Sequence, residues 1–171
     1  MRIVVAGGGT AGHISPILAA VAELKRRDKS IQVLYVGQRA GMEADMARSA
    51  GIEFKGIKAG KYRRAPHASL ADKLADTKNL ALNVRDIGRS VSGLTASLRI
   101  LRKFKPDVVF CKGGFVALPV GLAAKILKIS LVIHESDATP GLGTKILGRW
   151  ADDIAVGFPP ELYETLPTGK V

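Results

Sequence analysis

The run Gly7-Gly8-Gly9-Thr10-Ala11-Gly12 constrains this chain more than any other feature. It lies between a short apolar stretch, Ile3–Val5, and a segment of helical periodicity. Ile14, Ile17, Leu18, Val21 and Leu24 place that helix at about His13 to Arg27. Pro16 falls in its opening turn, and Lys25, Arg26 and Arg27 complement its C-terminus. A strand, a glycine loop and a helix start in direct succession suit a phosphate or pyrophosphate. Backbone N–H groups and the helix dipole face the ligand, and glycine lets it approach closely.

The remaining chain repeats the alternation. Ile31–Val36, Phe54–Ile57, Asp107–Cys111, Leu131–His134 and Ile154–Val156 read as five further strands, separated by helix-length segments. Met42 to Ala50 forms a second helix, stopped by Gly51, and Val116–Leu127 another. This pattern predicts an α/β, doubly wound, mainly parallel Rossmann-like sheet in the order 3-2-1-4-5-6, with ligands at the carboxyl edge. The 171 residues suit one such domain.

The G-x-G-x-x-G spacing of Gly7, Gly9 and Gly12 permits a dinucleotide reading, but the acid that would hold the ribose is missing: the second strand ends Val36-Gly37-Gln38-Arg39. A P-loop is excluded, because no GK[ST] closes the loop. A second glycine turn, Lys112-Gly113-Gly114-Phe115, follows the fourth strand. A polar cluster, His134-Glu135-Ser136-Asp137, follows the fifth and runs into Thr139-Pro140-Gly141. All three share the carboxyl edge. His13, at the mouth of the first loop, is placed for chemistry. His67 reads as surface, and Trp150, spaced with Ile146 and Leu142, as core.

The net charge of +11 favours an anionic partner without choosing among nucleic acid, a phosphorylated metabolite and an acidic membrane. Residues 61–105 hold eleven Lys/Arg against three Asp, a local net of +8. The same stretch carries a stripe, Leu80, Val84, Ile87, Val91, Leu94, Leu98 and Leu101, expected to dock a helix on the sheet despite Gly88 and Gly93. The single cysteine, Cys111, ends an apolar run and reads as core. It can form neither an internal disulfide nor a cysteine zinc cluster, which suits a reducing compartment. The N-terminus has no signal-peptide pattern, and no apolar run reaches the ~18 residues of a membrane span.

Taken in order, these clusters resemble the MurG family of peptidoglycan glycosyltransferases. Gly7 to His13 with Pro16 is similar to the family's GGGTGGH-x-x-P loop. Gly41-Met42-Glu43-Ala44 and Ala50 to Phe54 are similar to its second unit. Lys105-Pro106-Asp107 with Gly113 to Val116 resembles its second glycine loop, and His134 to Leu142 its HEQN-x-x-PGL segment. Ala11, Phe115 and Ser136-Asp137 stand where the family has glycine, tyrosine and Gln-Asn. An alanine forced to positive φ at position 11 would cost about 1 kcal/mol.

The resemblance implies the N-terminal, acceptor-binding half of a GT-B fold, spanning residues 1–171, with the donor-binding C-terminal domain absent from this chain. It implies an inverting hexosyltransferase that moves GlcNAc from UDP-GlcNAc to lipid I, giving lipid II in peptidoglycan synthesis, with no cofactor or metal. His13 is the expected base, with Glu135 or Asp137 competing. Gly9, Thr10, Ala11, Gly12, Gly113, Gly114, Phe115 and Asp137 are the expected substrate contacts. Arg63, Arg64, Arg85 and Arg89 are expected to meet an anionic membrane on its cytoplasmic face, and no nucleic-acid partner is expected. The alternative is a non-catalytic acceptor and membrane-docking subunit of a two-subunit GlcNAc transferase.

Overall fold

A computed structural model describes residues 1–60 and 77–167, of which 77–83 by their backbone alone. Arg63 and Arg64 lie outside the described residues.

Short, continuously apolar strands need cover on both faces, and the fold supplies it. The chain runs β1 (Arg2–Gly7), α1 (Ala11–Arg27), β2 (Gln32–Gln38), α2 (Glu43–Ser49) and β3 (Glu53–Ile57). It continues through α3 (Thr77–Phe104), β4 (Val108–Lys112), α4 (Gly114–Ile126), β5 (Ser130–Glu135), α5 (Leu142–Leu147) and β6 (Asp153–Val156). A 3-10 turn follows at Pro160–Tyr163. The six strands form one parallel sheet in the order β3-β2-β1-β4-β5-β6. The order reverses between β1 and β4, and the two glycine loops leave the carboxyl ends of those two strands.

Alternate residues of each strand feed opposite cores. Ile3, Val5 and Tyr35 pack with Ile14, Ile17 and Val21 of α1 and Ala47 of α2. Val4, Ala6, Val36, Val109 and Ile133 pack on the other face against α3, α4 and α5. Cys111 lies in this second core, fully buried, with its Sγ 3.8 Å from the Ala117 carbonyl oxygen.

Three expectations change. Helix α1 begins at Ala11, so Pro16 is its sixth residue rather than part of its opening turn. It leaves the Gly12 carbonyl without its usual amide partner. Pro119 occupies the same position in α4 and does the same to Phe115.

The apolar stripe splits in two. Leu94 and Leu98 are partly buried and Leu101 is fully buried on the sheet. Val84, Ile87 and Val91 are 61%, 57% and 57% exposed. In this half the helix packs through Asp86 and Ser90 against Gly60, so the side bearing Val84, Ile87 and Val91 is left open. Gly93, which looks like a flaw in the helix, marks a close approach of neighbouring backbone. A Cβ there would run into the Lys58 carbonyl oxygen and come 3.4 Å from Pro119.

Trp150 is the third correction. It is 38% exposed rather than core, because the chain turns out after α5 before entering β6.

Candidate functional site

The first glycine loop takes its shape from a residue that its own sequence does not contain. Glu43, the first residue of α2, is fully buried beneath it, and Oε1 accepts a 2.8 Å hydrogen bond from the Gly9 N–H. A Cβ on Gly8 or Gly41 would collide with this carboxylate. From the sheet, the Tyr35 hydroxyl donates to the Gly7 carbonyl at 3.1 Å. Burial pushes the Tyr35 phenol well above its ordinary value, and the Glu43 carboxylate adds to the effect. The Gly9 amide is therefore already committed. The amides that open α1, at Ala11 and Gly12, are not used by intrahelical bonds. The Thr10 hydroxyl makes no capping bond. Ala11 is helical and outside the positive-φ set, so its methyl brings no backbone strain.

The second loop turns on Gly113 (φ 43°) and Gly114 (φ 74°), conformations that L side chains rarely adopt. The turn brings the two loops into backbone contact. A Cβ on Gly114 would lie 2.9 Å from the Gly8 carbonyl oxygen and 3.3 Å from Cδ2 of His13. One on Gly9 would lie 2.9 Å from the Phe115 ring. The third cluster closes in similarly, since a Cβ on Gly143 would come 3.1 Å from the Gly114 carbonyl oxygen.

Glu135 holds that third cluster together. Its Oε2 accepts from the Thr144 hydroxyl at 2.6 Å and the Gly141 N–H at 3.1 Å, and its Oε1 from the Asp137 N–H at 3.1 Å. Burial disfavours its charge, yet the bonds from Thr144, Asp137 and Gly141, with the Lys112 cation, hold the carboxyl below its ordinary 4.5. Both oxygens serve the loop, which suits a clamp better than a proton acceptor. Lys112 is also buried, and its Nζ donates to Ser136 Oγ at 2.6 Å.

These elements line an open cavity of about 360 Å³. Gly9, Thr10, His13, Gly113, Gly114, Phe115, Glu135 and Asp137 all line it, joined by Gly8 and by 141–144. Ala11 and Gly12 are exposed at the α1 start and do not line it. Asp137 is the exposed carboxylate of the group. Among the described residues, His13 Nδ1 is buried without a hydrogen-bond partner. Burial lowers the His13 pKa below its ordinary 6.5, Lys112 lowers it further, and Asp137 and Glu135 oppose. The imidazole is thus uncharged at neutral pH and able to take a proton.

His134 is lowered by the same leading causes, burial and then Lys112. Both histidines resist protonation in the fold, so stability falls as pH drops below 6.5, where the unfolded chain takes up those protons. Glu135 adds a further loss below 4.5. Thermal unfolding followed between pH 8 and pH 4 should show Tm falling in that order. A Tm that rises on acidification through 6.5 would contradict the site electrostatics.

Arg85 and Arg89 lie on α3 and do not line this cavity, and their side chains are half-exposed. Both meet the buried Asp86 carboxylate, at 3.5 and 3.2 Å. Three contributors escaped the sequence reading: Glu43, Lys112 and Thr144. Glu43 had a signal, because it shares the buried face of its helix with Ala47, where a carboxylate needs a purpose.

Residues 3–156 match the glycosyltransferase family 28 N-terminal domain. The chain is 44% identical over 169 residues to a UDP-N-acetylglucosamine--N-acetylmuramyl-(pentapeptide) pyrophosphoryl-undecaprenol N-acetylglucosamine transferase of Lachnospira eligens. It is 40% identical over 171 residues to the protein of the same description in Halalkalibacterium halodurans. These alignments cover 99% and 100% of this chain but 43% of each relative, so the chain spans less than half their length. Among solved structures, Acinetobacter baumannii MurG superposes with a TM-score of 0.75 at 24% identity, over 99% of this chain and 44% of that one. A UDP-GlcNAc 2-epimerase from Neisseria meningitidis, bound to UDP-GlcNAc, superposes at 0.61 with 18% identity, over 100% and 45%.

Proposed function

The chain belongs to glycosyltransferase family 28, as its N-terminal domain, and from that membership we propose that it forms the acceptor-binding half of an inverting GlcNAc transferase. The donor is UDP-GlcNAc, and the acceptor is a sugar carried on a lipid pyrophosphate, as in lipid I. The supporting observation is the cavity itself. Two glycine loops and a carboxylate-clamped third loop converge on one uncharged histidine.

In this reading His13 takes the proton from the acceptor hydroxyl as its oxygen bonds to the anomeric carbon. The carbon–phosphate oxygen bond breaks on the opposite side, and UDP leaves with the bonding pair. The α1 amides at Ala11 and Gly12 and the Thr10 hydroxyl face a pyrophosphate. Asp137 and Phe115 contact sugar or acceptor, and Gly113 and Gly114 keep the wall thin enough for close approach. A donor-binding half is needed to complete the site. The 171-residue chain alone should bind acceptor and transfer no sugar; radiolabelled UDP-GlcNAc with a lipid acceptor tests this. Turnover by this chain alone would overturn the division of labour.

The same reading places the protein at the cytoplasmic face of a membrane. No helix among the described residues is long and apolar enough to cross one. Val84, Ile87 and Val91 are exposed beside Arg85 and Arg89. Between α3 and α4 lies an apolar groove of about 400 Å³, lined by Leu94, Leu118 and Leu122 among others. Each basic residue near an anionic surface contributes about 1 kcal/mol. Asp86 offsets part of that for this pair. Sedimentation with anionic vesicles should exceed that with neutral ones and fall with salt, as screening tightens below ~8 Å. Reversing Arg63, Arg64, Arg85 and Arg89 together should cost a few kcal/mol at most. Equal binding to neutral and anionic vesicles would remove the electrostatic role.

A further inference from the structure

Lys112 is a lysine where burial is expensive. Its residue exposure is 0%, and an interior ammonium group must be compensated. Gly7 is its register partner across β1 and β4, and a Cβ on Gly7 would crowd Lys112 Cβ at 3.4 Å and the Lys112 carbonyl oxygen at 2.8 Å. The side chain then runs to Ser136 Oγ, 2.6 Å from Nζ, on the loop that bears Asp137. Its next neighbour in sequence, Gly113, lines the cavity.

We propose that Lys112 is a positioning residue: an interior cation that fastens the strand-end loop through Ser136 and gives the cavity a fixed positive charge for the anionic part of its ligand. The proposal rests on the acceptor-binding reading for the identity of that ligand, a pyrophosphate. It accounts for the pairing of Ser136 and Asp137. Ser136 supplies the acceptor atom for Nζ, and the carboxylates of Asp137 and Glu135 offset the buried charge. Burial lowers the Lys112 pKa, and those two carboxylates oppose the shift, favouring the ammonium form. The cation also bears on His13. The charged groups facing that imidazole are Lys112 from β4 and Glu135 and Asp137 from the end of β5, and only Lys112 disfavours its protonation.

The test compares Lys112→Met, Lys112→Gln and Ser136→Ala with the unaltered chain. Inorganic pyrophosphate affinity is measured by calorimetry and the His13 titration by proton NMR. Loss of the cation should weaken pyrophosphate binding roughly tenfold and move the His13 midpoint upward. The glutamine variant keeps a donor for Ser136 without the charge, so it should show both effects even if the methionine variant folds poorly. Ser136→Ala keeps the charge and should leave the His13 midpoint near its original value while speeding amide exchange over 137–141. Unchanged pyrophosphate affinity and an unchanged His13 midpoint in both lysine variants would overturn the proposal and reduce Lys112 to packing. Neither readout requires sugar transfer. The proposal can therefore fail while the transferase reading stands, and the transferase reading can fail while Lys112 still governs His13.

Discussion

Replacing His13 with alanine in the complete enzyme should lower kcat by at least ~10²-fold and leave the fold intact. The first half follows from the proposed role: proton removal by a positioned base is worth ~10²–10⁴ in rate. The second follows from what the ring touches. Its Nδ1 has no hydrogen-bond partner among the described residues, so truncation strands no donor or acceptor. The ring packs on Gly113 and Gly114, which lose only van der Waals contact. The pH profile adds a signature. With the His13 pKa held below 6.5 in the free protein, kcat/KM should climb through an acidic midpoint and level off before neutrality. That acidic limb should vanish in the alanine variant. A loss confined to KM would assign His13 to binding instead.

Glu135→Ala should have the opposite profile, a large loss of stability. The substitution strands three donors at once: the Thr144 hydroxyl and the Gly141 and Asp137 amides. A buried unsatisfied group costs about 1–3 kcal/mol; the Thr144 hydroxyl is buried and the two amides are part-buried and cost less, so a total loss of about 3 kcal/mol is expected. Denaturant unfolding measures it. The gap between variant and parent should narrow as pH falls below 4.5, where the parent also loses the benefit of this carboxylate. Glu135→Gln separates clamp from base. As a clamp it should lose roughly 1 kcal/mol of stability and keep kcat within about tenfold. A drop in kcat matching that of His13→Ala, with Tm unchanged, would make Glu135 the base.

Strand positions and sheet order were legible because they depend on a property that a linear pattern carries: runs of β-branched residues at regular intervals between helical spacings. Each of the six strands was placed within about two residues of its observed limits, and the reversal between β1 and β4 put the glycine loops together. The apolar stripe was misread at Val84, Ile87 and Val91 because periodicity reports which residues share a helix face. It does not report which side of the helix the rest of the fold packs against, here Asp86 and Ser90 on Gly60. Pro16 was misplaced by the shift of a helix start through two residues, Ala11 and Gly12, both compatible with loop or helix. Glu43 and Lys112 were missed for a different reason. Each acts across a long separation in sequence, on Gly9 and Ser136, and the signal lies in the cost of burying a charge. That cost becomes visible only when the surrounding packing is known.

The burial of Cys111 has a practical consequence. Its surroundings push the thiol up to about 12, so at neutral pH it offers almost no thiolate to an alkylating reagent. As the only cysteine in the chain, it leaves the surface chemically silent toward maleimides and methanethiosulfonates. A cysteine introduced on α3 as Val84→Cys, Ile87→Cys or Val91→Cys would then be the sole modifiable position, with no background to subtract. A nitroxide or fluorophore attached there would test the proposed membrane contact of that helix residue by residue, using a protein altered at one site.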